Sequence, residues 1–307
     1  MDVLSDAIAA MRLGRPHSSR TALDAPWDLR FDPQQGAGFH VVLQGSCLLL
    51  PADGAPIVLN VGDVAFLPRE LGHGLADTGR DGSAHAELLC GAYGLDQSRA
   101  HPLFEELPDV VHLRARVGRH PSLQGAIELL GRELDRGTLL GGDAALPALL
   151  DLLLLYMVRA WYDDRPDGAA SGWGAALRDP AVAAALRAIH EEPQRPWTVR
   201  SLAEHAGLSR AAFARRFTGM AGSPPLAYLT WWRMTIAGRL LRDTDLPLRA
   251  VAARAGYVSE FAFARAFKRE FGVAPGRFRR DPLESGGAQA PPLPGLPLLA
   301  AEEETGR

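Results

Sequence analysis

Lysine is almost missing from this 307-residue chain. Lys268 is the only one, so arginine carries nearly all of the positive charge. That bias reads as a matter of base composition rather than of chemistry. Cysteine is scarce too: Cys47 and Cys90 are the only two, which excludes a disulfide scaffold and fits a reducing cytosol. The most apolar stretch, Leu146 to Val158, is too short to span a bilayer and contains Asp151. It reads as a buried helix, and no membrane partner is expected. Residues 1–12 lack a basic start followed by a long apolar run, so no signal peptide is expected and the location is read as cytoplasmic. Nucleophile motifs and Gly-rich phosphate loops are missing as well, which counts against an enzyme.

What is present is a charge division. The net charge of −3 hides a basic module: residues 195–282 hold 16 basic and 6 acidic residues, whereas residues 1–194 hold 16 arginines and 26 acidic residues. A compact basic half attached to an acidic one points to a polyanion partner.

The length allows two cores. Residues 24–95 read as short strands at 39–43, 47–50, 57–59, 64–67 and 86–89, punctuated by Asp53-Gly54, Gly62-Asp63 and Asp81-Gly82. Closely spaced strands with tight turns predict a small β-barrel or sandwich. Helical spacing then takes over at 122–136 and 146–161, with a polar break at 163–174. Asp179-Pro180 supplies a cap and a first-turn proline for a helix through His190. The fold class expected is α+β. The domains expected are a barrel at 1–110, a helical dimerisation or packing segment at 111–170, a helical domain at 171–282 and a disordered tail at 283–307.

The most informative feature is an internal repeat. The stretch from Ala203 through Ala206, Gly207, Ser209, Phe213, Ala214 and Arg215 to Phe217 returns as Ala252 through Ala255, Gly256, Ser259, Phe263, Ala264 and Arg265 to Phe267. The offset is 49 residues up to the glycine and 50 after it, because Val258 is inserted. Each copy predicts a short helix stopped at a glycine, a serine cap, and a second helix that buries two phenylalanines at i and i+4. The opposite face presents Ala211 and Arg215 in one copy, and Phe261 and Arg265 in the other. This is helix, tight turn, helix, the geometry that seats a second helix in a major groove. Duplication, local charge and the matched arginines weigh against a merely structural all-α domain. Residues 224–242 predict a connecting helix capped by Ser223 and roughly 25 Å long. Such a spacer would hold two reading helices about one DNA turn apart.

These residues resemble a known family. Residues 197–280, and above all Gly256-Tyr257, Ser259, Phe263, Arg265 to Arg269, Phe271 to Val273, Pro275-Gly276 and Arg279, resemble the AraC-type DNA-binding domain. Residues 25–93 resemble the cupin-type sensor domain that one branch of these regulators carries. The resemblance implies a signal-responsive, often dimeric regulator that binds double-stranded DNA at promoters. It places base contacts at Arg215, Arg265, Ala211, Glu260 and Phe261, with Ala and Phe limited to apolar contact with a thymine methyl. Arg210, Arg216, Lys268 and Arg269 are assigned to phosphates.

The cupin resemblance is incomplete. Gly62-Asp63 through Pro68 to His73 matches the second cupin element except at Glu70, but no His-x-His precedes the first-element tail Phe39 to Gly45. A lone His73 is a poor ligand set, so no metal and no cofactor are expected. His40, His73, His85, Cys47 and Cys90 are instead candidates to line a pocket for a small-molecule or redox effector. The competing readings are a metal-dependent cupin enzyme and an architectural DNA binder that takes no effector.

Overall fold

The structure is a computed structural model that describes residues 2–69, 71–78, 85–135, 140–165 and 172–280. Among the described residues the nine strands are β1 (His17–Asp24), β2 (Asp28–Phe31), β3 (Ala37–Gln44), β4 (Ser46–Pro51), β5 (Ile57–Asn60), β6 (Val64–Leu67), β7 (His73–Asp77), β8 (His85–Tyr93) and β9 (Val111–Leu113). The helices among the described residues are α1 (Val3–Met11), α2 (Pro102–Glu105), α3 (Pro121–Asp135), α4 (Gly142–Asp164), α5 (Trp173–Arg178), α6 (Pro180–Glu191), α7 (Val199–His205), α8 (Arg210–Ala221), α9 (Pro225–Asp243), α10 (Leu248–Arg254), α11 (Glu260–Phe271) and α12 (Pro275–Arg280). The mixed α+β class follows directly. The expected tail at 283–307 and Glu70 lie outside the described residues.

One compact unit, residues 16–92 and 109–150, is the sheet-rich half. A five-stranded sheet in the order β1-β8-β3-β6-β9 accompanies a four-stranded sheet in the order β2-β7-β4-β5. Alternating side chains supply a core that includes Phe31, Val42, Leu49, Leu59, Leu75 and Leu88. The five strands read from sequence fall within β3, β4, β5, β6 and β8. Strands β1, β2, β7 and β9 were not foreseen, and β1 and β9 lie beyond the 24–95 window.

Asp63 fastens this unit. Its carboxylate accepts from Asn60 N at 3.0 Å, Ala115 N at 2.7 Å and His112 Nε2 at 3.1 Å. Burial pushes its pKa up, but these hydrogen bonds outweigh burial and hold it below the ordinary carboxylate value. A lowered folded-state pKa means stability that is complete above about pH 5 and lost as the pH falls below about 4. Asp63→Asn is expected to cost about 1–3 kcal/mol at neutral pH and to flatten that acid slope. Urea midpoints of both proteins at several pH values between 3 and 7 check this; parallel slopes would contradict it.

The second unit comprises residues 2–15, 93–108 and 151–280 among those described. The sequence boundaries were continuous ranges, whereas α1 and the 93–108 segment group with the C-terminal helices. Leu13 N donates to Gly94 O at 2.8 Å and Asp96 N to Met11 O at 2.7 Å, and α1 packs on α6 and α9.

Helix α4 is longer than its apolar core suggested. Its 23 residues are apolar enough to cross a membrane by length and composition alone. Instead Leu153, Leu154, Met157 and Val158 are buried in the protein, and Asp151 pairs with Arg12. Of the polar break expected at 163–174, residues 166–171 lie outside the described residues; at its margins α4 reaches Asp164 and α5 starts at Trp173.

Candidate nucleic-acid interface

The two halves of the repeat fold alike. Helix α7 stops at Gly207, where φ is +68°, and α10 at Gly256, where φ is +76°. In both turns the same two bonds close the helix. Gly207 N donates to Glu204 O and Leu208 N to Ala203 O; Gly256 N donates to Ala253 O and Tyr257 N to Ala252 O. This is the paired-bond stop that a left-handed residue permits. Ser209 then caps α8 by accepting from Ala212 N at 3.3 Å, and Ser259 caps α11 by accepting from Ala262 N at 3.4 Å. Phe213 and Phe217 are buried with ring centroids 5.6 Å apart, and so are Phe263 and Phe267 at the same separation.

Burying those rings turns a basic face outward on each helix. Arg210, Ala211 and Arg215 are exposed on α8; Glu260, Phe261, Arg265, Lys268 and Arg269 are exposed on α11. Phe261 is 84% exposed, an unfavourable place for an aromatic ring in water. Arg269 lies 3.6 Å from Glu270.

Arg216 differs from the rest. It ion-pairs with Asp179 and donates from Nε to Asp179 Oδ2 at 2.8 Å. The other oxygen of Asp179 caps α6 by accepting from Ala181 N and Val182 N. Position 266 of the second copy holds a buried alanine, so this tie has no counterpart there. No local pattern signals this tie, because the partners are 37 residues apart.

The sensor candidates do not all meet. His40 Nδ1 lies 3.0 Å from Cys90 Sγ, and His40 Nε2 lies 2.7 Å from His73 Nε2. The His73 ring stacks on Phe31 at 4.6 Å. Cys47 belongs to the same buried core. Burial pushes His40 well below its ordinary pKa, His73 down to about 4, and the Cys47 thiol up to about 12. All three are therefore neutral near pH 7. His85 stands apart: it is exposed at the end of the β1–β8 pairing and bonds Asp24 Oδ1 at 2.8 Å. Among the described residues, no group of three His, Cys, Asp or Glu side chains is arranged to hold a metal ion.

Known proteins share this architecture. The family described as "Cupin" matches residues 2–163, and the one described as "Helix-turn-helix domain" matches residues 202–281. An AraC-like transcription regulator of Streptomyces antibioticus is 35% identical over 92% of this chain and 100% of its own length. One from Streptomyces lividans is 34% identical over 92% of this chain and 99% of its own. The chain belongs to the AraC-type transcription regulators. The crystal structure of the DNA-binding domain of AdpA, in complex with a target DNA, is 34% identical and covers 34% of this chain and 93% of that one, with a TM-score of 0.32.

In this AraC-type regulator α9 ties the two helix-turn-helix units together. The expected Ser223 cap is not formed: the N-cap is Pro224, which makes no side-chain cap bond. Nineteen residues give α9 a length of about 28 Å. Its Tyr228 lies 6.0 Å from Phe217 of the first unit, and its Met234, Ala237 and Leu241 enter the core that holds Phe263 and Phe267. Midway along α9, Arg233 donates from Nε to Pro193 O at 2.6 Å and from Nη2 to Arg195 O at 2.8 Å. The same guanidinium covers Gly256, where an added Cβ would lie 2.8 Å from Nη2; at Gly207 it would meet nothing within 4 Å.

Both glycines have left-handed backbone, so alanine at either costs about 1–2 kcal/mol. Gly256→Ala must also displace a guanidinium held by two carbonyls, which adds about 1 kcal/mol. Chemical denaturation of the two variants is expected to rank Gly256→Ala as the more damaging; equal losses would show that Arg233 gives way freely.

Proposed function

We propose that this protein is a sequence-specific DNA-binding transcription regulator whose cupin-type half responds to a small effector. The observation that carries the DNA part is the pair of capped helices α8 and α11, each burying two phenylalanines and exposing an arginine at the matched position. Arg215 and Arg265 read base edges through bidentate bonds, and Glu260 accepts from a cytosine amino group. Ala211 and Phe261 make apolar contact with thymine methyls. Arg210, Lys268 and Arg269 neutralise phosphates. Arg216 reaches the backbone only with what its bond to Asp179 leaves free.

The effector part rests on the polar group inside the sheet-rich unit. His40 touches both His73 and Cys90 within an otherwise apolar core that also holds Cys47. Neutral imidazoles and a thiol suit a small polar, uncharged molecule or an oxidant. Action as a homodimer in the cytoplasm belongs to the same reading, since paired half-sites favour paired subunits.

Genome-wide mapping of bound DNA supplies the candidate operator. Titration of the full-length protein on that duplex and on a scrambled one tests the reading. A preference of about 10³-fold or more for the operator is expected. Equal affinity for both duplexes would reduce the protein to an architectural binder.

A further inference from the structure

A directed hydrogen-bond chain runs through the helical unit. Leu103 N donates to His101 Nδ1 at 3.1 Å, which leaves His101 Nε2 to donate to the Tyr228 hydroxyl at 2.9 Å. Tyr228 therefore donates onward to His190 Nε2 at 2.6 Å. His190 Nδ1 then donates to Asp6 Oδ2 at 3.2 Å. Every donor and acceptor is fixed by its neighbour. Burial keeps both histidines below their ordinary pKa, so each is neutral. The chain ends at a carboxylate on α1.

That carboxylate faces a cavity. Asp6 and His190 line a space of about 290 Å³ together with Trp232, Ile236, Arg239 and Asp243. The Asp6 side chain is only 13% exposed. Trp232 is buried, stacks on His190 at 3.9 Å, and among the described residues its indole N–H has no acceptor. The lining charges are two carboxylates against one guanidinium, and Arg239 is held only loosely, 3.4 Å from Asp243.

We propose that this cavity binds a small organic amine with an apolar body. The ammonium sits against Asp6, and the body lies on Trp232 and Ile236. The largely buried carboxylate strengthens the ion pair relative to open water. The site lies on α9, the helix shared by both helix-turn-helix units, and it is separate from the sheet-rich unit. Binding there does not depend on the effector reading given above.

The probe is 2-phenoxyethylammonium, which carries both the ammonium and the apolar body; its neutral analogue, 2-phenoxyethanol, has the same shape. Calorimetric titration of the full-length protein is expected to give one saturable site for the amine, about tenfold or more tighter than for the alcohol. Arg239→Glu, a half-exposed position, is expected to tighten the amine severalfold and leave the alcohol unchanged. Asp6→Asn is expected to erase the amine's advantage. Absence of amine binding, equal binding of amine and alcohol, or an Arg239→Glu variant with unchanged or weaker amine affinity would each overturn the proposal.

Discussion

A protein carrying both Arg215→Ala and Arg265→Ala is expected to bind its operator about 2–6 kcal/mol more weakly, a loss of roughly 30-fold to 10⁴-fold. Each arginine is exposed on the second helix of its own unit, with no ion pair among the described residues to compete for it. Each bidentate contact to a guanine is worth about 1–3 kcal/mol, and the sites are far enough apart in sequence and fold to act independently. Three measurements read the effect: operator affinity, affinity for a scrambled duplex, and thermal stability. Operator binding is expected to fall towards the scrambled value while the melting temperature stays put, because exposed side chains contribute little to stability. If both duplexes weaken equally, the two arginines hold phosphates and the base-reading role must lie elsewhere.

Phe263→Ala is expected to cost about 3–5 kcal/mol of stability, a large part of the 5–15 kcal/mol a domain typically has. Phe263 is fully buried among Met234, Ala237, Val251 and Phe267. Its ring lies 5.7 Å from Tyr257 and 5.6 Å from Phe267. Phe261, two residues earlier on the same helix, is the control. It is 84% exposed, so Phe261→Ala is expected to change stability by less than about 0.5 kcal/mol and to show only in DNA affinity. Urea denaturation of both variants separates the two. A Phe263→Ala cost below about 1 kcal/mol would mean that this core repacks around the void.

That contrast also marks what the sequence made legible. Phe263 and Phe261 were separable on paper because a duplicated i, i+4 pattern names the buried face of a helix. The same pattern located both turns, both caps and the exposed arginines. Strand β1 was not legible: His17–Asp24 is mostly polar, has no buried residue and pairs with β8, some 70 residues away. Strand β9 has three residues, too few to show a period. Helix α1 carried a visible signal, an Asp2 cap before Val3, Leu4, Ala7, Ile8 and Met11. The polar contacts were the least legible. Asp6 meets His190 across 184 residues and His101 meets Tyr228 across 127, and no local rule links such positions. Likewise His85 looked equivalent to His40 and His73 until the sheet register set it at the exposed end of β8.

The stiffness of α9 fixes more than an angle. Adding one residue to this helix would swing everything downstream by about 100° and push it forward by about 1.5 Å. Substitutions along α9 leave that phase untouched, but insertions and deletions cannot. Under the proposed reading, in which both units contact bases, the interval between the two short base runs of an operator is written into the covalent length of the protein, and promoters accommodate it rather than the reverse.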